Sequence, residues 1–248
     1  MSAKTKAGNF PPDIDRLRYI RLAATPWHSL LLVAPALLLF QIGLIFVDPA
    51  AIPLAPDHLG KVLEFFGAAL PYLPPLAVVL VLLGQHFAHK DPWKVYPDVL
   101  ACMAVEAILW MLPLIALSEI MGLLAAQGAQ AGPGVLDMLM VALGAGVYEE
   151  FIFRLMALGL LGLLMVDLLS VPRKIAVPVA VAITAIGFSL YHPQNMQDGQ
   201  FLWLPFAFRA LAGGYLAMIY LLRGFGITAW AHILFNVYVV LIQHHVWS

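Results

Sequence analysis

The chain has 248 residues, of which 62% are hydrophobic and 11% charged, with a formal net charge of -1 and a mean hydropathy of +0.91. That composition excludes an ordinary soluble domain, because several apolar runs reach the ~20 residues that cross a bilayer as helix. A near-zero charge with no basic tract gives no support to nucleic-acid binding, and a single cysteine, Cys102, excludes an intrachain disulfide or a multi-thiolate zinc site.

Residues 1–26 are polar and carry Lys4, Lys6, Arg16, Arg18 and Arg21. They read as a short cytoplasmic arm with a surface-lying piece from Asp13 to Leu22. No secretory cleavage signature and no C-terminal lipidation motif is expected here. Span 1 runs from Trp27 to Val47. Span 2 covers Phe65 to Phe87, with Pro71, Pro74 and Pro75 near its entry predicting a kink. A basic loop with Lys90 and Lys94 leads to span 3, Val99 to Leu124, which holds Glu106 and Pro113. After a Gly/Ala/Gln-rich loop, Gln127–Gly134, span 4 is the long segment Leu136–Val166. Span 5 is Ile175–Tyr191, span 6 Phe201–Leu222 and span 7 Ile227–Ile242.

The short-loop Lys and Arg residues, Lys90/Lys94, Arg173/Lys174 and Arg223, fall on the side of the arm if span 4 crosses once. This predicts an all-α polytopic transmembrane helical bundle of seven spans, N-terminus cytoplasmic. A break of span 4 near Arg154 would make eight. The organisation expected is an arm at 1–26, N-terminal transmembrane helices at 27–135 and a C-terminal transmembrane core at 136–248.

Within span 4 lies Tyr148-Glu149-Glu150-Phe151-Ile152-Phe153-Arg154. A charge at the centre of a membrane helix costs roughly 2.5–3.5 kcal/mol on insertion scales, so such residues usually mark function. Glu150 and Arg154 are four apart and share a helical face, where they can pair. Glu149 points about 100° away from Glu150 and is free to face something else. Three more polar side chains sit in or at the ends of apolar runs. His192 follows Phe188 by four residues, and His232 and Asn236 are four apart on one face. In hydrocarbon each needs a partner or water, which argues for convergence on a shared hydrated cavity.

Glu149-Glu150-x-x-x-Arg154, then Phe188-x-x-x-His192, then His232-x-x-x-Asn236 resemble the three motifs of the CPBP family (CAAX proteases and bacteriocin-processing enzymes, also called Abi). The likeness covers about the last 110 residues; the first 125 or so share only hydropathy with the family. The resemblance implies a glutamate-dependent intramembrane endopeptidase acting on a membrane-associated peptide or protein without a cofactor. By it Glu149 activates water, with His192 orienting that water. His232 and Asn236 form an oxyanion hole, while Glu150 and Arg154 hold the geometry of span 4. A base for water and donors for a developing oxyanion are what peptide hydrolysis needs. The compactness of the chain points to a bacterial cytoplasmic membrane, with leader peptides or sorting tails among the conceivable substrates.

Other readings of the same residues stay open. Glu149, His192 and His232 make a His₂Glu zinc set, although no H-E-x-x-H is present. The cluster could instead be helix–helix glue in a non-catalytic scaffold or immunity protein, or a proton relay in a transporter. Two further buried charges, Glu106 and Arg209, lie outside the motifs, and pairing with each other is the simplest expectation. One feature conflicts with convergence. In the seven-span layout His192 and His232 are offset by on the order of 10–15 Å along the membrane normal.

Overall fold

A computed structural model describes residues 12–46, 57–59, 61, 73–122, 134–192, 195–197 and 199–247. Lys4, Lys6, Pro71, the first residues of span 2, most of the Gln127–Gly134 loop, Pro193 and Asp198 lie outside them. The described chain is a helical bundle: α1 (Pro12–Ala23), α2 (Pro26–Gly43), α3 (Leu73–His89), α4 (Pro97–Ile120), α5 (Val135–Leu168), α6 (Arg173–Leu190), α7 (Trp203–Arg223) and α8 (Phe225–Trp247). A two-residue antiparallel ladder, Met196–Gln197 with Gln200–Phe201, turns at Gly199 between α6 and α7. Among the described residues six helices are long and apolar enough to cross a membrane, and α3 is a shorter apolar helix. The six, with α3 at the place of span 2, follow the expected spans in order.

Local chemistry sets the helix starts. Proline opens α1, α2 and α4, where its missing N–H costs nothing. Thr25 caps α2 by accepting from the His28 N–H, and the Asp137 carboxylate accepts from the Gly134 N–H ahead of α5. The 34-residue α5 is continuous through Arg154, so no break occurs at the place the eight-span alternative requires. It is α-helical to Glu150, π-helical over Phe151–Leu158, α-helical over Gly159–Gly162 and π-helical again over Leu163–Leu168.

The last helix, α8, lies at the centre and packs on α5, α4, α2 and α7. One side of it shares a core with Phe40, Leu82, Val147, Tyr148 and Phe151, and the other a core with Leu22, Met103 and Leu216. The outward faces carry exposed Ile108, Leu109 and Leu112 on α4, Leu160 and Leu163 on α5, and Ile183 and Ile186 on α6. Apolar groups on the outside as well as the inside are what a lipid solvent demands. Two glycines make this packing possible. A Cβ on Gly146 would stand 2.8 Å from the backbone nitrogen of Ile233, so α5 and α8 touch backbone to backbone. Gly224, at φ +82°, turns the chain from α7 directly into α8 against Ala24.

The structure corrects the expected Glu106–Arg209 pair. Glu106 instead takes Arg223 in a fork, Nε to Oε1 at 2.5 Å and Nη2 to Oε2 at 2.7 Å. Tyr19 of α1 and the Trp110 indole donate to the same carboxylate. Arg209 donates to the Asn195 side-chain oxygen at 2.9 Å. The reason is axial position: fourteen residues of α7 separate Arg209 from Arg223, about 21 Å of rise, so only one of them can lie level with Glu106. The Glu106 fork therefore ties α1, α4 and the end of α7 together. A double-mutant cycle on melting in detergent should show Glu106 coupled to Arg223 by more than ~1.5 kcal/mol, and to Arg209 by less than ~0.5 kcal/mol.

Candidate active site

The site begins where α5 passes from α- to π-helical winding. Glu150 is fully buried and Arg154 is 1% exposed. Arg154 Nη1 lies 3.1 Å from Glu150 Oε1. Its Nη2 donates to the Gly213 carbonyl of α7 at 2.9 Å, and its guanidinium carbon sits 4.4 Å from the centroid of the Phe188 ring on α6. The same Glu150 oxygen accepts from His232 Nδ1 of α8 at 2.8 Å.

Glu149 turns another way. Its Oε2 lies 3.7 Å from His192 Nε2 and 3.9 Å from His232 Nε2, and it is a buried oxygen with no hydrogen-bond partner among the described residues. Those separations are too long for direct hydrogen bonds. The tautomers follow from the far side of each ring. His192 Nδ1 stands 2.8 Å from the Phe188 carbonyl, which can only accept, so Nδ1 carries the proton and a neutral ring offers a bare Nε2 to Glu149. For His232 the acceptor at Nδ1 is Glu150. The Phe188 ring stands edge-on to both imidazoles, at 4.9 and 5.9 Å, and keeps them apart from one another.

Convergence therefore occurs despite the expected offset. His192 lies beyond the end of α6 and folds its ring back onto Phe188, while the bare backbone at Gly146 lets α8 bring His232 against α5. The structure gathers Glu149, Glu150, Arg154, His192 and His232. Asn236, one turn further along α8, is half-buried and makes no side-chain hydrogen bond to the described residues. Among those residues no three His, Cys, Asp or Glu side chains are spaced to hold a metal ion.

Several supports had no reading in the sequence. Phe188 belonged to a motif but had no role there; it is the wall shared by one guanidinium and two imidazoles. The Gly213 carbonyl could not be found, because a backbone acceptor leaves no mark in side-chain pattern. Gly146 left a weak mark, a glycine in an apolar helix four residues before Glu150. Beyond His192, the Asn195 side chain donates to the Ser189 carbonyl and accepts from Arg209.

Residues 131–238 match the family model described as type II CAAX prenyl endopeptidase Rce1-like. All six candidate residues fall inside that range. No curated protein and no solved structure matches the chain.

Arg154→Leu should cost about 3–5 kcal/mol, because it leaves Glu150 buried without its cation. The melting temperature in detergent should fall, and Glu150→Leu/Arg154→Leu should recover part of the loss. A double variant no more stable than Arg154→Leu alone would remove the pair from the account.

Proposed function

We propose, on the premise that the chain carries an Rce1-like domain of the CPBP protease family across residues 131–238, that it hydrolyses a peptide bond of a membrane-associated substrate with water activated by Glu149. The observation that carries this reading is the meeting of His192 Nε2 and His232 Nε2 on an unpartnered Glu149 oxygen. The chain is an integral membrane protein. A bacterial cytoplasmic membrane, with the arm at 1–26 on the cytoplasmic side, residues 27–135 as supporting helices and 136–248 as the catalytic core, is part of the same proposal.

A water in the gap has two hydrogens and finds two acceptors, the Glu149 carboxylate and the bare His192 Nε2. Glu149 takes one proton as the oxygen attacks the scissile carbonyl, and later delivers it to the leaving amine. The carbonyl oxygen gains the charge. His232 serves it only as an imidazolium, with Nδ1–H on Glu150 and Nε2–H on the oxyanion, and Glu150 is then its counter-ion. Asn236, with a free carboxamide on the same helical face, supplies the second donor. Products are a carboxylate and an ammonium, the second proton of the water passing from the new carboxylic acid to the amine. Glu150 and Arg154 do not touch substrate; they fix His232 and the helix that carries Glu149.

Glu149→Gln keeps the shape and removes the base. Its cleavage rate should fall by roughly 10²–10⁴-fold with the melting temperature unchanged. A pure Glu149→Gln preparation that cleaves at the wild-type rate overturns the mechanism.

One observation favours a second reading. Two imidazoles whose Nδ1 atoms are held by acceptors, with both Nε2 atoms turned to a carboxylate, share the orientation of zinc ligands, although as they stand they are not spaced to hold a metal ion. The base would then have to be another group, and Glu150 is engaged by Arg154 and His232. Metal content, melting temperature and rate, measured on wild type, His232→Ala and Asn236→Ala, separate the readings. The glutamate mechanism expects active, metal-free wild type and an Asn236→Ala variant with kcat reduced roughly 10²–10³-fold at little change in KM. The zinc reading expects one zinc per chain, lost in His232→Ala. Helix glue expects joint loss of stability and no activity in any of the three.

A further inference from the structure

The family match begins at residue 131, yet a residue from the first half of the chain reaches the edge of the candidate site. His58 lies between α2 and α3, and its Nδ1 stands 2.7 Å from the Tyr191 hydroxyl. The two rings meet edge to face with centroids 5.3 Å apart. Tyr191 is the C-cap of α6, directly before His192. From α5, Phe153 stands edge-on to the Tyr191 ring at 5.4 Å and to Phe188 at 5.4 Å. Phe153 follows Glu149 by four residues, so the helix that carries the carboxylate also supplies one jaw of this clamp. The other jaw is seated by its neighbour: Leu59 packs against the core that holds Phe40, Leu82 and Tyr148. On the exposed side Asp57 and Lys61 pair at 2.7 Å.

His192 needs such a clamp because it lies past the last turn of α6, where helices fray. Its own N–H reaches the Ser189 carbonyl at 3.2 Å, and its ring folds back on the Phe188 carbonyl. Both contacts are within the same helix end, so they move with that end and do not place it against Glu149. Placement matters, since a misplacement of ~1 Å can cost ~10²-fold in rate. Burial, then the charges of Glu149 and Asp57, push the Tyr191 phenol up to about 12. It therefore stays protonated, and a phenol both donates and accepts, so either tautomer of His58 closes the contact. Among the described residues the hydroxyl bonds to no group of the site. We infer that Tyr191 is a positioning residue for His192, anchored by His58, so that segment 57–61, outside the family match, completes the site. The inference rests on the proposed protease reading and deepens it: the motif supplies the imidazole, and the first half of the chain holds the helix end that carries it.

The test uses full-length protein in nanodiscs, with peptide cleavage, melting temperature and ¹⁵N-histidine NMR on the same preparations. Tyr191→Phe removes only the hydroxyl, and His58→Ala removes its partner. Each should lower kcat about 3–10-fold, the worth of one hydrogen bond, with KM and melting temperature unchanged. The double variant should be no slower than either single one, because both break the same contact. His58→Asn, whose carboxamide occupies the place of Nδ1, should recover most of the rate. In wild type the His192 ring should show the single Nδ1–H tautomer, and in Tyr191→Phe and His58→Ala a mixture. Wild-type kcat in Tyr191→Phe overturns the inference and leaves the protease reading intact. So do additive losses in the double variant, since the two residues then act separately. A lowered melting temperature with an unchanged His192 tautomer also overturns it, as that is a role in folding alone. Should wild type cleave no peptide, the protease reading falls. The His192 signal then decides the positioning by itself: a tautomer that mixes in both variants upholds it, and one that stays single in either overturns it.

Discussion

A single guanidinium holds four helices in register. Arg154 is covalently part of α5, donates to the backbone of α7, lies over an aromatic ring of α6 and, through Glu150, reaches His232 of α8. A cation in hydrocarbon must collect partners from wherever they are, because none comes from solvent. The demand is directional: a planar fork tolerates little error, so meeting it fixes the rotation of α5 about its axis. Glu149, one residue from Glu150, inherits that orientation. The positions of the other groups in the candidate site are consequences of how this charge is buried.

Much of this was readable from residue order. The apolar runs located six membrane-length helices to within a few residues, since lipid imposes one length and one polarity on every crossing, whereas span 2 corresponds to a shorter helix, Leu73–His89. The spacing of Glu150 and Arg154 foretold their contact, which is local to one helix. Pairing across helices was not legible. Glu106 and Arg209 were matched because they were the two charges left over, yet Arg223 at the helix end was the cation level with Glu106. Its position in a loop-like sequence hid it. The offset expected between His192 and His232 failed for a related reason. Sequence gives the length of a helix, but not how a side chain past its end folds back, nor how closely two backbones approach at a glycine.

The winding of α5 belongs to the same account. The change from α to π immediately after Glu150 widens the helix by making each N–H reach one residue further back. Such segments are uncommon and concentrate at functional sites, because they redirect side chains that regular winding would stack. Here the two glutamates stand on the regular side of the junction and Arg154 on the wide side. One carboxylate is thereby enclosed by Arg154 and the His232 ring while its neighbour keeps an oxygen without a hydrogen-bond partner among the described residues.

The length of α5 carries a consequence for the lipid around it. Thirty-four residues of apolar helix, even with the shorter rise of their π-helical stretches, exceed the ~20 residues that cross a hydrocarbon layer of ~30 Å. Tilt takes up part of such an excess, within a usual range of ~0–40°. The remainder is met by a rod that projects from the bilayer or by leaflets that thicken along it. Glu149 lies about 21 Å from the start of that rod, so its depth is not a property of the protein alone. Lipid chain length sets it as well, and with it the distance that water must travel to reach the carboxylate.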